Sequence, residues 1–145
     1  MSPGGSRPAR AWLLWGLTAL WAAAIFAASS LPRGNGVIPL PGPGLDKLAH
    51  LFAYLPLAAL AGAALRAGGR GRGAAAALAL ALAAAYGSLD EWHQGWVPGR
   101  VPSWQDWVAD ALGAGLGACG VFCWPTASPP AEDDFREQAA DPPDQ

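Results

Sequence analysis

Residues 88–110 read SLDEWHQGWVPGRVPSWQDWVAD. Charged residues make up only 14% of the 145-residue chain, against a quarter or so in ordinary soluble domains. Yet Asp90, Glu91, Arg100, Asp106 and Asp110 all fall within this stretch, with His93 and Gln94 among them. Apolar runs flank it on both sides. Pro98 and Gly99 mark a turn. Ser103 and Asp106 form an S-x-x-D box of the kind that opens a helix. The stretch therefore reads as the end of one apolar helix, a turn, and the start of another.

Working outward, four apolar segments stand out at residues 11–31, 48–65, 73–89 and 107–124. Each is close to the ~20 residues needed to cross a bilayer core. The helix before the turn is expected to run past Leu89 into the quoted motif. This pattern predicts an all-α, polytopic membrane protein, a four-transmembrane-helix bundle occupying residues 1–124. Residues 32–44, PRGNGVIPLPGPG, are too rich in Pro and Gly for a helix and read as a loop. Residues 125–145 are acidic and Pro-rich and read as a disordered tail. These polar ends dilute the mean hydropathy to +0.21.

The first segment begins with Arg7 and Arg10 and has small residues at 27–30, as a cleaved leader would. Its apolar run is longer than a usual leader core and contains Trp12, Trp15 and Trp21, which favours a retained helix. Arg7 and Arg10 precede the first helix, and Arg66, Arg70 and Arg72 fill the connection between the second and third. By the positive-inside rule, both termini and this connection are expected in the cytoplasm and the quoted stretch on the outer side. Net charge is −2, and no basic patch with interleaved aromatics points to nucleic acid. Cys119 and Cys123, four apart on one helical face, lack a CxxC spacing and read as small apolar residues.

The polar residues fall in stripes. At 100° per residue, Lys47, His50 and Tyr54 lie within about 60° of one another, with Asp46 just outside and at a position suited to capping. Pro56, on the same helix, removes one backbone hydrogen bond. Asp90, Glu91 and Gln94 share an arc of about 100° centred near Gly87, with Trp92 and Trp96 opposite and His93 at the edge. Asp106, Asp110, Gly113 and Gly117 share about 60°, and the Gly113-x-x-x-Gly117 pair invites close approach of another helix. A carboxylate at the depth of Asp110 is costly against lipid and should face the bundle. If the last three helices are neighbours, Asp46, Lys47, His50, Tyr54, Asp90, Glu91, Gln94, Arg100, Asp106 and Asp110 converge in one outward-facing pocket. Each also has a plain structural reading as a cap, an interfacial charge or a packed polar group.

These residues resemble the VanZ-like family of small bacterial integral membrane proteins. DKLAHLFAY supplies Asp46, Lys47, His50 and Tyr54. SLDEWHQGWVPGR supplies Asp90, Glu91, Gln94, Pro98 and Arg100. DWVAD supplies Asp106, with Asp110 where the family more often has Asn. The similarity runs from Asp46 to about Gly117. It implies a protein of the bacterial cytoplasmic (inner) membrane acting in the cell envelope, in a family whose namesake is associated with resistance to the glycopeptide teicoplanin.

Two functions follow. One is an enzyme acting on an envelope lipid or lipid-linked precursor. Asp90 or Glu91 would then be the base and His50 a possible acid, with Lys47 and Arg100 holding an anionic headgroup. Asp46, Tyr54, Gln94, Asp106 and Asp110 complete the substrate-binding candidates. Asp90, Glu91, Asp106 and Asp110 also suit a hard divalent cation, although no zinc signature is present. The other is binding without catalysis, of a lipid, a drug or a partner protein. A transporter or channel subunit ranks lower, because polar residues at one end make no continuous path.

Overall fold

The computed structural model describes residues 6–32 and 44–125. The proposed loop at residues 32–44, apart from its two ends, and the proposed tail beyond residue 125 lie outside them. Among the described residues four helices occur in order: α1 (Ser6–Ser29), α2 (Leu45–Ala67), α3 (Arg72–Gln94) and α4 (Trp104–Cys123). Among the described residues, α1 from Arg7, α2 and α3 are long and apolar enough to cross a membrane. At 1.5 Å per residue, 23 residues reach roughly 35 Å, against ~30 Å for a hydrocarbon core.

The helices alternate in direction, and α2 packs against all three others. Its closest partner is α4; α3 lies against both α2 and α4, and α1 rests mainly on α2. The buried stripes are made of small residues. α2 buries Ala58, Ala61 and Ala64, α3 buries Ala75, Ala79 and Ala83, and α4 buries Ala114 and Ala118. Bulky side chains point outward instead: Trp12, Leu20, Phe52, Leu89 and Trp92 are all exposed. Small residues inside and large ones outside is the arrangement expected where lipid, not water, is the solvent and close backbone approach is the main source of packing.

Gly113 and Gly117 set the α2–α4 seam. A Cβ at Gly113 would run into the carbonyl of Leu51, and one at Gly117 into the carbonyl of Leu55. At the same seam, a Cβ on Gly62 would stand 2.6 Å from a Val121 methyl. Indole and phenol groups bind α1 to its neighbours: Trp21 Nε1 donates to the Ala53 carbonyl (2.8 Å), and Tyr86 OH to the Ala22 carbonyl (2.7 Å). At the end of the bundle that holds Arg66, its Nη1 donates to the carbonyls of Val121 and Trp124, both at 3.0 Å. These carbonyls lie at the α4 C-terminus, where helical partners run out and a cation is favourable. Arg72 stands 5.3 Å above the Phe122 ring.

Several boundaries move from the sequence-based expectation. α1 begins at Ser6 and ends at Ser29, earlier than residues 11–31 implied. α2 begins at Leu45 rather than residue 48, because Asp46 and Lys47 are already helical. Asp46 is therefore not the cap. Gly44 takes that position with φ +97°, a conformation that favours glycine, and Asp46 sits in the first turn. α2 continues through Pro56 as one helix. α3 runs on through the motif to Gln94, and α4 starts at Trp104. Ser103 does cap α4: its Oγ accepts from the Asp106 N–H at 3.4 Å. Gly99, with φ +76°, turns the chain between them. Cys119 and Cys123 are exposed free thiols with sulfurs 4.0 Å apart.

Candidate functional site

The small-residue stripes that pack the bundle turn polar at one end. On α3 the buried series Ala75, Ala79, Ala83, Gly87 continues into Asp90, Glu91 and Gln94. On α4 the buried stripe of Gly113 and Gly117 begins at Asp106 and Asp110. α2 contributes Lys47, His50 and Tyr54 from its first turns. Because α3 ends where α2 and α4 begin, these polar groups meet at the same end of the bundle. Trp92 and Trp96 point away and are exposed, forming an edge-to-face pair.

Asp110 is the deepest of the group, with no exposed surface. His50 Nδ1 and Asp110 Oδ1 share a hydrogen bond at 2.9 Å. The Tyr54 ring, also fully buried, packs beside them. Gly87 makes the room: a Cβ there would sit 3.1 Å from Asp110 Oδ2 and 3.4 Å from Tyr54 Cε1. A side chain on α3 at this point would therefore press on both.

Glu91 Oε2 accepts the Ser103 backbone N–H at 2.7 Å, which ties the end of α3 to the cap of α4. Asp90 Oδ2 accepts from Ser29 Oγ (2.8 Å) and from Gln94 Nε2 (2.9 Å). Gln94 Oε1 in turn accepts from Arg100 Nη1 at 3.2 Å. Arg100 also donates to the carbonyls of Ala28 (2.8 Å) and Leu31 (3.2 Å). Lys47 Nζ bridges Asp106 Oδ1 (2.7 Å) and Asp46 Oδ2 (3.1 Å). Lys47 is 40% exposed, so this pair contributes little to stability.

The ten residues expected to converge thus form three adjoining sets, with Glu91 in the His50–Asp110 set. Lys47 joins Asp46 and Asp106. His50 joins Asp110, with Tyr54 alongside. Asp90, Gln94 and Arg100 form a chain that reaches α1. The four carboxylates considered together for a cation are divided among these sets. Three groups with one donor atom each within 4.8 Å of one another are His50, Glu91 and Asp110. Among the described residues, four buried oxygens have no hydrogen-bond partner: Tyr54 OH, Asp90 Oδ1, Glu91 Oε1 and Asp110 Oδ2. Unsatisfied buried polar atoms are costly, and their gathering at one place is what a binding site looks like before its ligand is considered.

Sequence reasoning misses Ser29, which by pattern alone is just one of the small residues of a possible leader. It also misses the Ser103 backbone N–H and the α1 carbonyls. A helix-ending Ser in an apolar run is the available signal for Ser29; backbone donors and acceptors leave none. His93 lies outside the three sets, at 3.0 Å from Ser30 Oγ and stacked on Phe26 with ring centroids 4.4 Å apart.

The fold and its polar end describe a small helical membrane protein. The VanZ/LLP1 family model matches residues 11–125, and the chain belongs to that family. No curated protein and no solved structure matches it.

Proposed function

We propose that this VanZ-like protein lies in a bacterial cytoplasmic membrane and uses the polar end of its bundle on the headgroup of an envelope lipid or lipid-linked precursor. In this reading α4 also spans, as the fourth transmembrane helix. The observation that carries the proposal is the set of buried carboxylates with unpartnered oxygens beside His50. Ionisable groups at membrane depth are functional by default. Glu91 or Asp90 would serve as base and His50 as acid, while Lys47, at the exposed margin, would meet an anionic headgroup.

Orientation has its own expected result. Arg7, Arg10, Arg66, Arg70 and Arg72 favour cytoplasmic termini and an outward polar end. With Cys119 and Cys123 replaced by Ser, a cysteine at Gly99 should label from outside intact cells, and one at Gly69 should not. The reverse labelling would put the site on the cytoplasmic side.

The activity is tested by lipid analysis of a deletion strain complemented with native protein or with Glu91→Gln. A lipid that accumulates in the deletion strain should be cleared by native protein. Glu91→Gln, present at native amount, should lose about 10²–10⁴ of the clearing rate, as removal of a general acid or base does. Teicoplanin susceptibility of the same strains scores the phenotype that the family resemblance implies. Full clearing by both Glu91→Gln and Asp90→Asn would rule out the acid–base role. It would favour the second reading, a lipid- or drug-binding protein without catalysis. The Ser29–Asp90–Gln94–Arg100 chain suits that reading too, since it uses a carboxylate to join helices.

A further inference from the structure

We infer that His50, Glu91 and Asp110 form a binding site for one first-row divalent cation of the Zn²⁺ or Mn²⁺ type. The inference rests on reading this cluster as the functional site; with the ion bound, His50 and Glu91 act as its ligands and Asp90 is left as the base. Its first support is geometric: one donor atom from each of the three residues lies within 4.8 Å of the others. Ligand atoms around such an ion sit about 2.0–2.2 Å from it, so pairs of them are roughly 3.3–3.6 Å apart in a tetrahedral site. The trio needs to close by no more than about 1.5 Å to reach that spacing.

The second support is independent of the cluster's composition. Asp110 is fully buried and Glu91 is 8% exposed, yet Asp110 Oδ2 and Glu91 Oε1 have no hydrogen-bond partner among the described residues. Glu91 Oε2 is already committed to the Ser103 N–H, while Asp110 Oδ1 stands 2.9 Å from His50 Nδ1, a spacing that two ligands of one ion share once Nδ1 carries no proton. Glu91 is thus held by one oxygen and offers the other. That is how ligating carboxylates are usually oriented by groups behind them. Among the described residues, the cationic side chains nearby are engaged with other groups, Lys47 with Asp46 and Asp106, and Arg100 with Gln94 and two carbonyls among its partners. Neither is hydrogen-bonded to Glu91 or Asp110.

The donor set selects the ion. One imidazole nitrogen with two carboxylate oxygens suits Zn²⁺ or Mn²⁺ better than Mg²⁺ or Ca²⁺, which prefer all-oxygen surroundings. Three protein ligands leave a coordination position open for water or a substrate oxygen. His50 retains some exposure, with 11% of its side chain accessible, and gives the ion a way in.

The test uses the full-length protein in nanodiscs, stripped with EDTA and titrated with Mn²⁺ while free ion is followed by electron paramagnetic resonance. Saturable binding of one ion per chain is expected, with Zn²⁺ displacing Mn²⁺ as the stability order of first-row ions requires. Glu91→Gln and His50→Ala should each weaken Mn²⁺ binding by tenfold or more, while Cys119→Ser/Cys123→Ser retains native affinity. Monodisperse native protein that binds neither ion overturns the inference. So does native affinity in both Glu91→Gln and His50→Ala, or loss of binding in the cysteine variant. Absent metal binding with Glu91-dependent lipid clearing removes this inference alone. Metal binding in a protein without effect on any lipid supports the site and removes the proposed activity alone.

Discussion

Gly113→Val should pull α2 and α4 apart and cost about 3 kcal/mol or more, at the upper end of the overpacking range. The added Cβ meets the carbonyl of Leu51, which is backbone and cannot swing aside as a side chain can. Gly117→Val should act alike, since its Cβ would meet the Leu55 carbonyl and approach the Ala59 nitrogen to 3.0 Å. Gly115 and Gly120, on the same helix, have open space around them: a Cβ added at either would meet nothing within 4 Å. Gly115→Ala and Gly120→Ala should therefore be neutral or gain up to ~1 kcal/mol from helix propensity. Thermal denaturation in a mild detergent separates the two pairs. Equal loss in all four would show that glycine is needed for some reason other than the α2–α4 approach. The damage should extend to the site, because Leu51 adjoins His50 and the same seam brings His50 to Asp110 and Lys47 to Asp106.

Asp110→Ala should be the most damaging change within the polar cluster, at about 3–5 kcal/mol, the range for removing one partner of a buried pair. It leaves His50 without its carboxylate and opens a void beside Tyr54 and Gly87. Asp110→Asn keeps the shape and an oxygen for His50, and should cost less. A double-mutant cycle with His50→Ala measures the link: a coupling of ~0.5–3 kcal/mol is expected for residues in contact. Denaturation midpoints of the native, two single and double variants supply the four corners. Additive losses would mean that the 2.9 Å bond contributes nothing to stability. Lys47→Ala offers a contrast, because its bridge to Asp46 and Asp106 is partly solvent-exposed and should shift the denaturation midpoint little.

Much of this bundle is legible in the order of its residues. The apolar runs announce four helices, and a period of 3.6 puts Asp90, Glu91 and Gln94 opposite Trp92 and Trp96. The Gly113-x-x-x-Gly117 spacing announces a close helix contact, and Ser103 announces a cap. The errors cluster at helix starts. Polar Asp46 and Lys47 look like residues before a helix, whereas they are inside one whose polar side faces other helices. Apolarity marks the part of a helix that meets lipid, not the full extent of its hydrogen bonding.

Other features cannot be read this way. That Gly113 faces Leu51, that Gly87 makes room for Asp110, and that Arg100 reaches back to Ala28 and Leu31 all depend on which helices are neighbours. Helix periodicity is a property of one segment, so the sequence by itself determined the helices and the face on which each carries its polar groups. The choice of partners belongs to the tertiary structure. Stripes of Ala and Gly are nearly interchangeable as packing surfaces, and backbone carbonyls carry no residue identity. Only the folded bundle could therefore decide that Glu91, Asp110 and His50 meet, and that Asp90 is turned toward Ser29 instead.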